Sequence, residues 1–296
     1  MITLRHHLLT IVAVFLALAV GIVLGGGPLS DVGPAVTASS SGEEPAADAQ
    51  AQSGYSEELL AALGPGLVSA RLADQSVAVV TVPGADEQLV GALTEQVAAA
   101  GGTVTGRYTL GNDLVDPNQK SLVDTLGSQL VTQRAGEDVP AEASAYDRIG
   151  QLLGLAIATT ESGGADVNGK ARSIVDAITG AGLMTAPGEV SRRAPLVLLV
   201  LGTDAGDEGS DAVLAGLAQG LAAQATGVVV AGTTDDGDTG QLGRFRTDPA
   251  SAAVASVDGI DTSAGRIATI LTLQRSLTTP GGAFGASGAD GAAPLG

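Results

Sequence analysis

Three stretches of this chain are apolar or β-branched at successive positions rather than at alternate ones. They are Ser76-Val77-Ala78-Val79-Val80-Thr81-Val82, Pro195-Leu196-Val197-Leu198-Leu199-Val200-Leu201 and Gly227-Val228-Val229-Val230-Ala231. A strand that is apolar on both faces has to be covered on both faces, which is the position of a parallel strand between two layers of helices. Pro83-Gly84 ends the first run, and Asp86 stands where it can cap a helix reaching Ala100. Leu89, Leu93, Val97 and Ala100 share one face of that helix, and Gly101-Gly102 stops it before the next strand, Thr103–Leu110. Helices are expected over 118–132, 141–159, 169–181 and 211–224, with a last short strand near 253–257 and a helix capped by Thr262 running to Leu277. Alternating β and α elements of this kind predict an α/β fold, a Rossmann-like, doubly wound, mostly parallel sheet.

The core of that sheet must be aliphatic, because 296 residues include only three Tyr, three Phe and no Trp, against 43 Gly. Small side chains fill a core only when the elements pack closely. The formal net charge of −18 and the lack of any Lys/Arg cluster exclude nucleic acid as a partner, since phosphate binding requires concentrated positive charge. The acidity reads as a solvated surface. With no Cys, the chain has no disulfide, no thiolate nucleophile and no thiolate metal site.

The compartment has to be read from the N-terminus. Residues 8–24 carry no charge, and only Thr10 and Gly21 interrupt their apolar character. As a helix they reach roughly 26 Å, close to the ~30 Å of a bilayer's hydrocarbon core. Arg5, His6 and His7 precede the run, whereas Asp31, Glu43, Glu44 and Asp48 follow it. Positive charge stays in the cytoplasm, so the expected topology is a single pass through the cytoplasmic membrane with the bulk of the chain outside. Ala17-Leu18-Ala19 offers the rival reading, a signal peptide whose cleavage would release the protein into the outer envelope or medium. The expected organisation is an anchor in 1–29, a flexible Ala/Ser/acidic linker in 30–56, the α/β domain in 57–277 and a disordered Gly/Ala-rich tail in 278–296. Within the domain, a short amphipathic helix over 57–63 is expected to end before Pro65.

No catalytic, cofactor-binding or metal-ligating residue emerges from the motifs. The turn Pro83-Gly84-Ala85-Asp86 lacks the glycine pattern that lets a backbone approach pyrophosphate, and Asp86 would repel an anion there. Gly164-Ala165-Asp166-Val167-Asn168-Gly169-Lys170-Ala171 falls one residue short of a P-loop, because Ala171 replaces the Ser/Thr that holds Mg²⁺. Acidic residues gather after two strands, as Asp204, Asp207, Glu208 and Asp211 and as Asp235, Asp236 and Asp238. They read as solvated loop charge, with weak cation binding as the alternative; Thr247 stands where a Ca²⁺ loop begun at Asp236 would need Glu. Both His precede the apolar run, so neither Ser–His nor Cys–His chemistry can be assembled in the domain.

Several segments together resemble the actinobacterial copper-transporter (MctB/SteB-like) family. They are Leu4-Arg5-His6-His7 before the apolar helix, Leu63-Gly64-Pro65-Gly66-Leu67-Val68, the run from Ser76 through Asp86, and Val257-Asp258-Gly259-Ile260-Asp261-Thr262-Ser263-Ala264-Gly265-Arg266. The resemblance implies a non-enzymatic envelope protein with one N-terminal membrane helix. Its α/β interaction domain would serve an envelope or cell-division partner, or alternatively copper efflux across the envelope. Members usually place a charged coiled coil after the membrane helix, where this chain has its 30–56 segment. No cofactor is implied, and Met184, the only Met beyond the apolar run, reads as core.

Overall fold

The computed structural model describes residues 44–295 except 203, 205 and 206, with side chains from residue 50 onward. The chain divides into two compact units, 1–52 and 53–296, and the second carries the sheet. The expected span at 8–24 lies outside the described residues. Among those described, no helix is long and apolar enough to cross a membrane.

Helix α1 (Glu44–Val68) is followed by β1 (Ser76–Thr81), α2 (Glu87–Ala99), β2 (Thr103–Leu110), the single turn α3 (Asn112–Val115), α4 (Lys120–Leu130) and α5 (Ala145–Ile157). Next come β3 (Ala165–Asp166), α6 (Gly169–Gly180), β4 (Met184–Thr185), β5 (Arg192–Arg193), β6 (Leu196–Val200) and α7 (Glu208–Ala222). The chain ends with β7 (Gly227–Ala231), α8 (Gln241–Phe245), β8 (Ala255–Val257), α9 (Ser263–Ser276) and β9 (Ala283–Phe284). Seven strands form one sheet in the order β4-β2-β1-β6-β7-β8-β9, and β3 pairs with β5 separately. All neighbours in the large sheet are parallel except β4, which runs antiparallel to β2. Strands β2, β1, β6, β7 and β8 thus have the flavodoxin-like 2-1-3-4-5 order, with the topological switch between β1 and β6.

The continuous apolar runs serve two cores at once. Val77 and Val79 of β1, Leu196, Leu198 and Val200 of β6 and Val229 of β7 join α2 and α9 on one face. The intervening Ala78, Val80, Val197, Leu199, Val228 and Val230 join α5, α6 and α7 on the other. Period-2 alternation of side chains turns one apolar run into two buried surfaces.

The α5–α7 side is set by glycine. Gly150 and Gly154 lie one helical turn apart on α5, and Gly216 and Gly220 do so on α7. A Cβ at Gly150 would stand 2.6 Å from the Leu217 carbonyl oxygen, and one at Gly216 would stand 2.7 Å from the Tyr146 Cβ. At Gly220 it would collide with the Asp147 carbonyl and approach the Gln151 nitrogen to 2.6 Å. The two helices therefore pack backbone against backbone.

Two segments depart from the sequence reading. The helix expected over 57–63 is part of α1, which begins at Glu44 within the expected linker and continues through Pro65. Tertiary contacts hold it on both sides of the proline. Glu57 accepts hydrogen bonds from the Ser263 backbone N–H at the start of α9 (2.7 and 3.0 Å), Gly64 lies against Ile267, and Val68 is fully buried. Those contacts outweigh the one backbone hydrogen bond a proline removes. The tail from 278 is also structured in part, because Ala283–Phe284 adds β9 alongside β8 and Phe284 is buried, with Arg275 over its ring.

Gly91 lies mid-helix in α2 with open space around it, so Gly91→Ala is expected to stabilise the fold by about 0.5–1 kcal/mol. Gly220→Ala adds the same methyl between two backbones and should cost at least ~2 kcal/mol. Urea unfolding of both variants tests the contrast; equal effects would contradict the backbone packing of α5 on α7.

Tyr108 is fully buried on β2 and its hydroxyl has no hydrogen-bond partner among the described residues. Burial raises its pKa from 10.0 to about 12. The unfolded chain loses that proton first, so this group's contribution is complete below pH 10 and is lost as pH rises to about 12. An ultraviolet pH titration should show a phenol step near 12 that Tyr108→Phe removes, with no loss of stability at neutral pH.

Candidate functional site

Open parallel sheets bind ligands outside the strands' C-terminal ends, at the switch point. Here that edge carries the loops after β1, β2, β6, β7 and β8. Gly202, after β6, runs so close to Pro83 and Ala85, after β1, that any side chain at 202 would collide with their backbone. The crevice between the two loops is thereby closed at its base. Beside it, a cleft of about 700 Å³ opens between the β1 and β2 loops and helix α7. Val82, Val115, Val213, Leu214 and Leu217 form its apolar part; Asn112, Asp116, Asn118, Asp207, Ser210 and Gln241 supply the polar groups.

Local rules position the two carboxylates. Asp207 caps α7, accepting from the Ser210 backbone N–H (2.8 Å) and hydroxyl (3.1 Å). Asp116 accepts from the Asn118 backbone and side-chain nitrogens, both at 2.9 Å. The Tyr146 hydroxyl donates to the Asp116 carbonyl at 3.3 Å; burial, and then the Asp116 charge, raises its pKa.

The acidic residues singled out in the sequence are distributed among separate tasks. Asp204 and Asp211 converge on Arg244, whose Nε lies 2.7 Å from Asp211 and whose terminal nitrogen lies 2.9 Å from Asp204. These hydrogen bonds, Asp211's first, hold the guanidinium pKa above its usual value. Asp236 accepts from the Thr233 N–H (2.7 Å) and hydroxyl (2.8 Å), whereas Glu208, Asp235 and Asp238 are exposed. Asp86 caps α2, accepting from the Gln88 N–H at 2.7 Å. In the P-loop-like segment, Asn168 caps α6 through the Ala171 N–H (2.8 Å) and Lys170 pairs with Asp138. Met184 is buried on β4, and Thr247 returns a hydrogen bond to the Arg244 carbonyl. Among the described residues, no group of three or more His, Asp or Glu is placed to hold a metal ion.

Sequence reasoning missed Arg246 and Gln241. Arg246 donates to Ser256 (2.9 Å), Ser287 (2.9 Å), the Phe284 carbonyl (2.6 Å) and Asp258 (2.8 Å), and so ties α8, β8 and β9 together. Asp258 is 0% exposed and also accepts from the Ser287 N–H at 2.8 Å. The Arg-x-Arg pair between two acidic stretches was a readable sign of such bridging. Gln241 carries no comparable signal.

The fold and this edge define a doubly wound α/β domain in which Asp86 and Asp207 cap helices, Asp236 braces a turn, and Asp204, Asp211 and Asp258 pair with arginine. A family model described as "Copper transport outer membrane protein, MctB" matches residues 1–294, and the chain belongs to that family. It is 31% identical over 306 residues to "Copper transporter MctB" of Mycobacterium tuberculosis strain H37Rv, covering 92% of each chain. It is also 31% identical over 317 residues to the Mycobacterium leprae protein of the same name, covering 94% of each.

Replacing Arg246 by Met leaves a buried carboxylate unpaired and is expected to cost about 3–5 kcal/mol. Hydrogen exchange at Ala283 and Gly285 should accelerate more than at the β6 amides, because β9 loses its anchor first. Uniform acceleration, or none, would contradict that role.

Proposed function

We propose that the protein is a membrane-anchored, non-enzymatic component of copper handling in the cell envelope, whose α/β domain binds a partner and leaves the metal to other groups. Copper as cargo comes from the name of the family and of its relatives. The anchor is the uncharged run at 8–24, and its flanking charges support a domain outside the cytoplasm. The observation that carries the reading is the engagement of Asp204 and Asp211 by Arg244, of Asp258 by Arg246, and of Asp86 and Asp207 by helix N-termini. Cu(I) selects sulfur and imidazole. Beyond His7 the chain contains neither Cys nor His, and Met184 is buried in the sheet. A copper phenotype would then arise through an envelope partner. Regulation of cell separation is the other role that the family resemblance implies.

Deletion of the gene is expected to make its host hypersensitive to copper, with rescue by the intact gene and equally by Met184→Leu. Unchanged copper tolerance together with defective cell separation would replace the copper reading with the division one. In anaerobic titration, the purified chain with His6 and His7 changed to Gln should show no stoichiometric Cu(I) site tighter than micromolar. A tight site that survives Met184→Leu would overturn the assignment of the metal to other groups.

A further inference from the structure

The cleft beside the switch point contains a polar group that the fold itself does not use. Gln241, at the first turn of α8, is only 6% exposed, and its side chain makes no hydrogen bond to any described residue. It is one of the residues that line the cleft. A buried carboxamide, with one acceptor and two donor hydrogens, is ordinarily satisfied within the protein or by something bound to it. The adjoining surface is aliphatic, from Val82, Val213, Leu214 and Leu217, and the volume of about 700 Å³ is in the range of sites for small organic ligands.

The charge of the cleft limits what can enter. Among the described residues that line it, the charged ones are Asp116 and Asp207, with no Lys, Arg or His. Asp207 already occupies the α7 N-terminus, the place where a phosphate would otherwise be held by backbone N–H groups. An anionic nucleotide or phosphorylated ligand would therefore meet two carboxylates and an occupied helix end. An uncharged or cationic molecule would meet an aliphatic wall, a carboxamide able to pair with another amide, and attraction at the mouth.

We propose that this cleft binds a small, uncharged or cationic, amide-bearing organic molecule of about di- to tripeptide size, whose amide pairs with Gln241. The site is independent of the copper reading, because its central contact, the Gln241 carboxamide, is not among the groups weighed there as metal ligands.

Isotope-edited NMR of the full chain in zwitterionic detergent tests it with three probes: N-acetyl-leucine methylamide, N-acetyl-lysine methylamide and adenosine monophosphate. The two amides are expected to shift the Val213, Leu214, Leu217 and Gln241 backbone resonances saturably, the lysine derivative more tightly, while the nucleotide leaves them in place. Gln241→Leu, close to isosteric, should weaken both amides about tenfold. Asn112→Trp, at an exposed rim position, should block them by filling the mouth and leave the rest of the spectrum unchanged. Nucleotide binding in the cleft as tight as that of the amides, no perturbation by either amide, or undiminished binding to Gln241→Leu would each overturn the proposal.

Discussion

The contact between α5 and α7 is the constraint on which the functional edge depends. Helices packed through ordinary side chains keep their axes about 8–10 Å apart. Here backbone atoms of the facing helix occupy the space a Cβ would need at Gly150 and Gly220, while Gly216 faces the Tyr146 Cβ and Gly154 the Gln224 side chain just beyond α7. Such a contact has little tolerance for sliding, since every neighbouring position along either helix carries a side chain. Helix α7 is thus held in register, and it carries Val213, Leu214 and Leu217 of the cleft wall, Asp207 at its cap and Asp211 beside Arg244.

The fold was legible where local chemistry and tertiary packing agree. Runs such as Val77-Ala78-Val79-Val80 could only be two-sided strands, and Asp86 and Thr262 stand as caps where their side chains suggested. Local rules failed where packing overrode them. Pro65 reads as a helix end, yet Glu57 and Val68 are fixed by α9 and the core on either side of it. The Gly/Ala-rich tail reads as disordered, yet Phe284 is buried and Arg246 binds its carbonyl, a contact between residues 38 apart that no local pattern reveals. The acidic clusters were visible as composition, but not their division between Arg244, the α7 cap, the Thr233 turn and solvent. Gly abundance signalled close packing in general without showing which helices would meet.

One of the segments that carry the family resemblance, Val257 through Arg266, has a structural use at nearly every polar or glycine position. Asp258 pairs with Arg246, and Gly259 adopts φ +86°, which a side chain would strain. Asp261 accepts from the Thr234 N–H at 2.7 Å, and Thr262 caps α9 through the Gly265 N–H at 3.1 Å. Gly265 passes against the Gly259 carbonyl, and Arg266 donates to the Ile260 carbonyl at 3.0 Å. This stretch builds the corner between β8 and α9. Family likeness in this stretch is likeness of framework.

A doubly wound sheet gathers helix N-termini at one edge, and their partial positive charge makes that edge a natural host for phosphate. In this protein the chain's own carboxylates take those places: Asp86 at α2, Asp207 at α7, and at α9 Glu57, reaching across from α1 to the Ser263 N–H. Each carboxylate satisfies backbone donors that would otherwise face solvent or ligand, which favours the fold. Each also reverses the local sign of the potential. The same carboxylates that stabilise the helix ends thus disfavour phosphate there and leave an acidic rim around an aliphatic cleft. Selectivity at this edge follows from the capping that builds it.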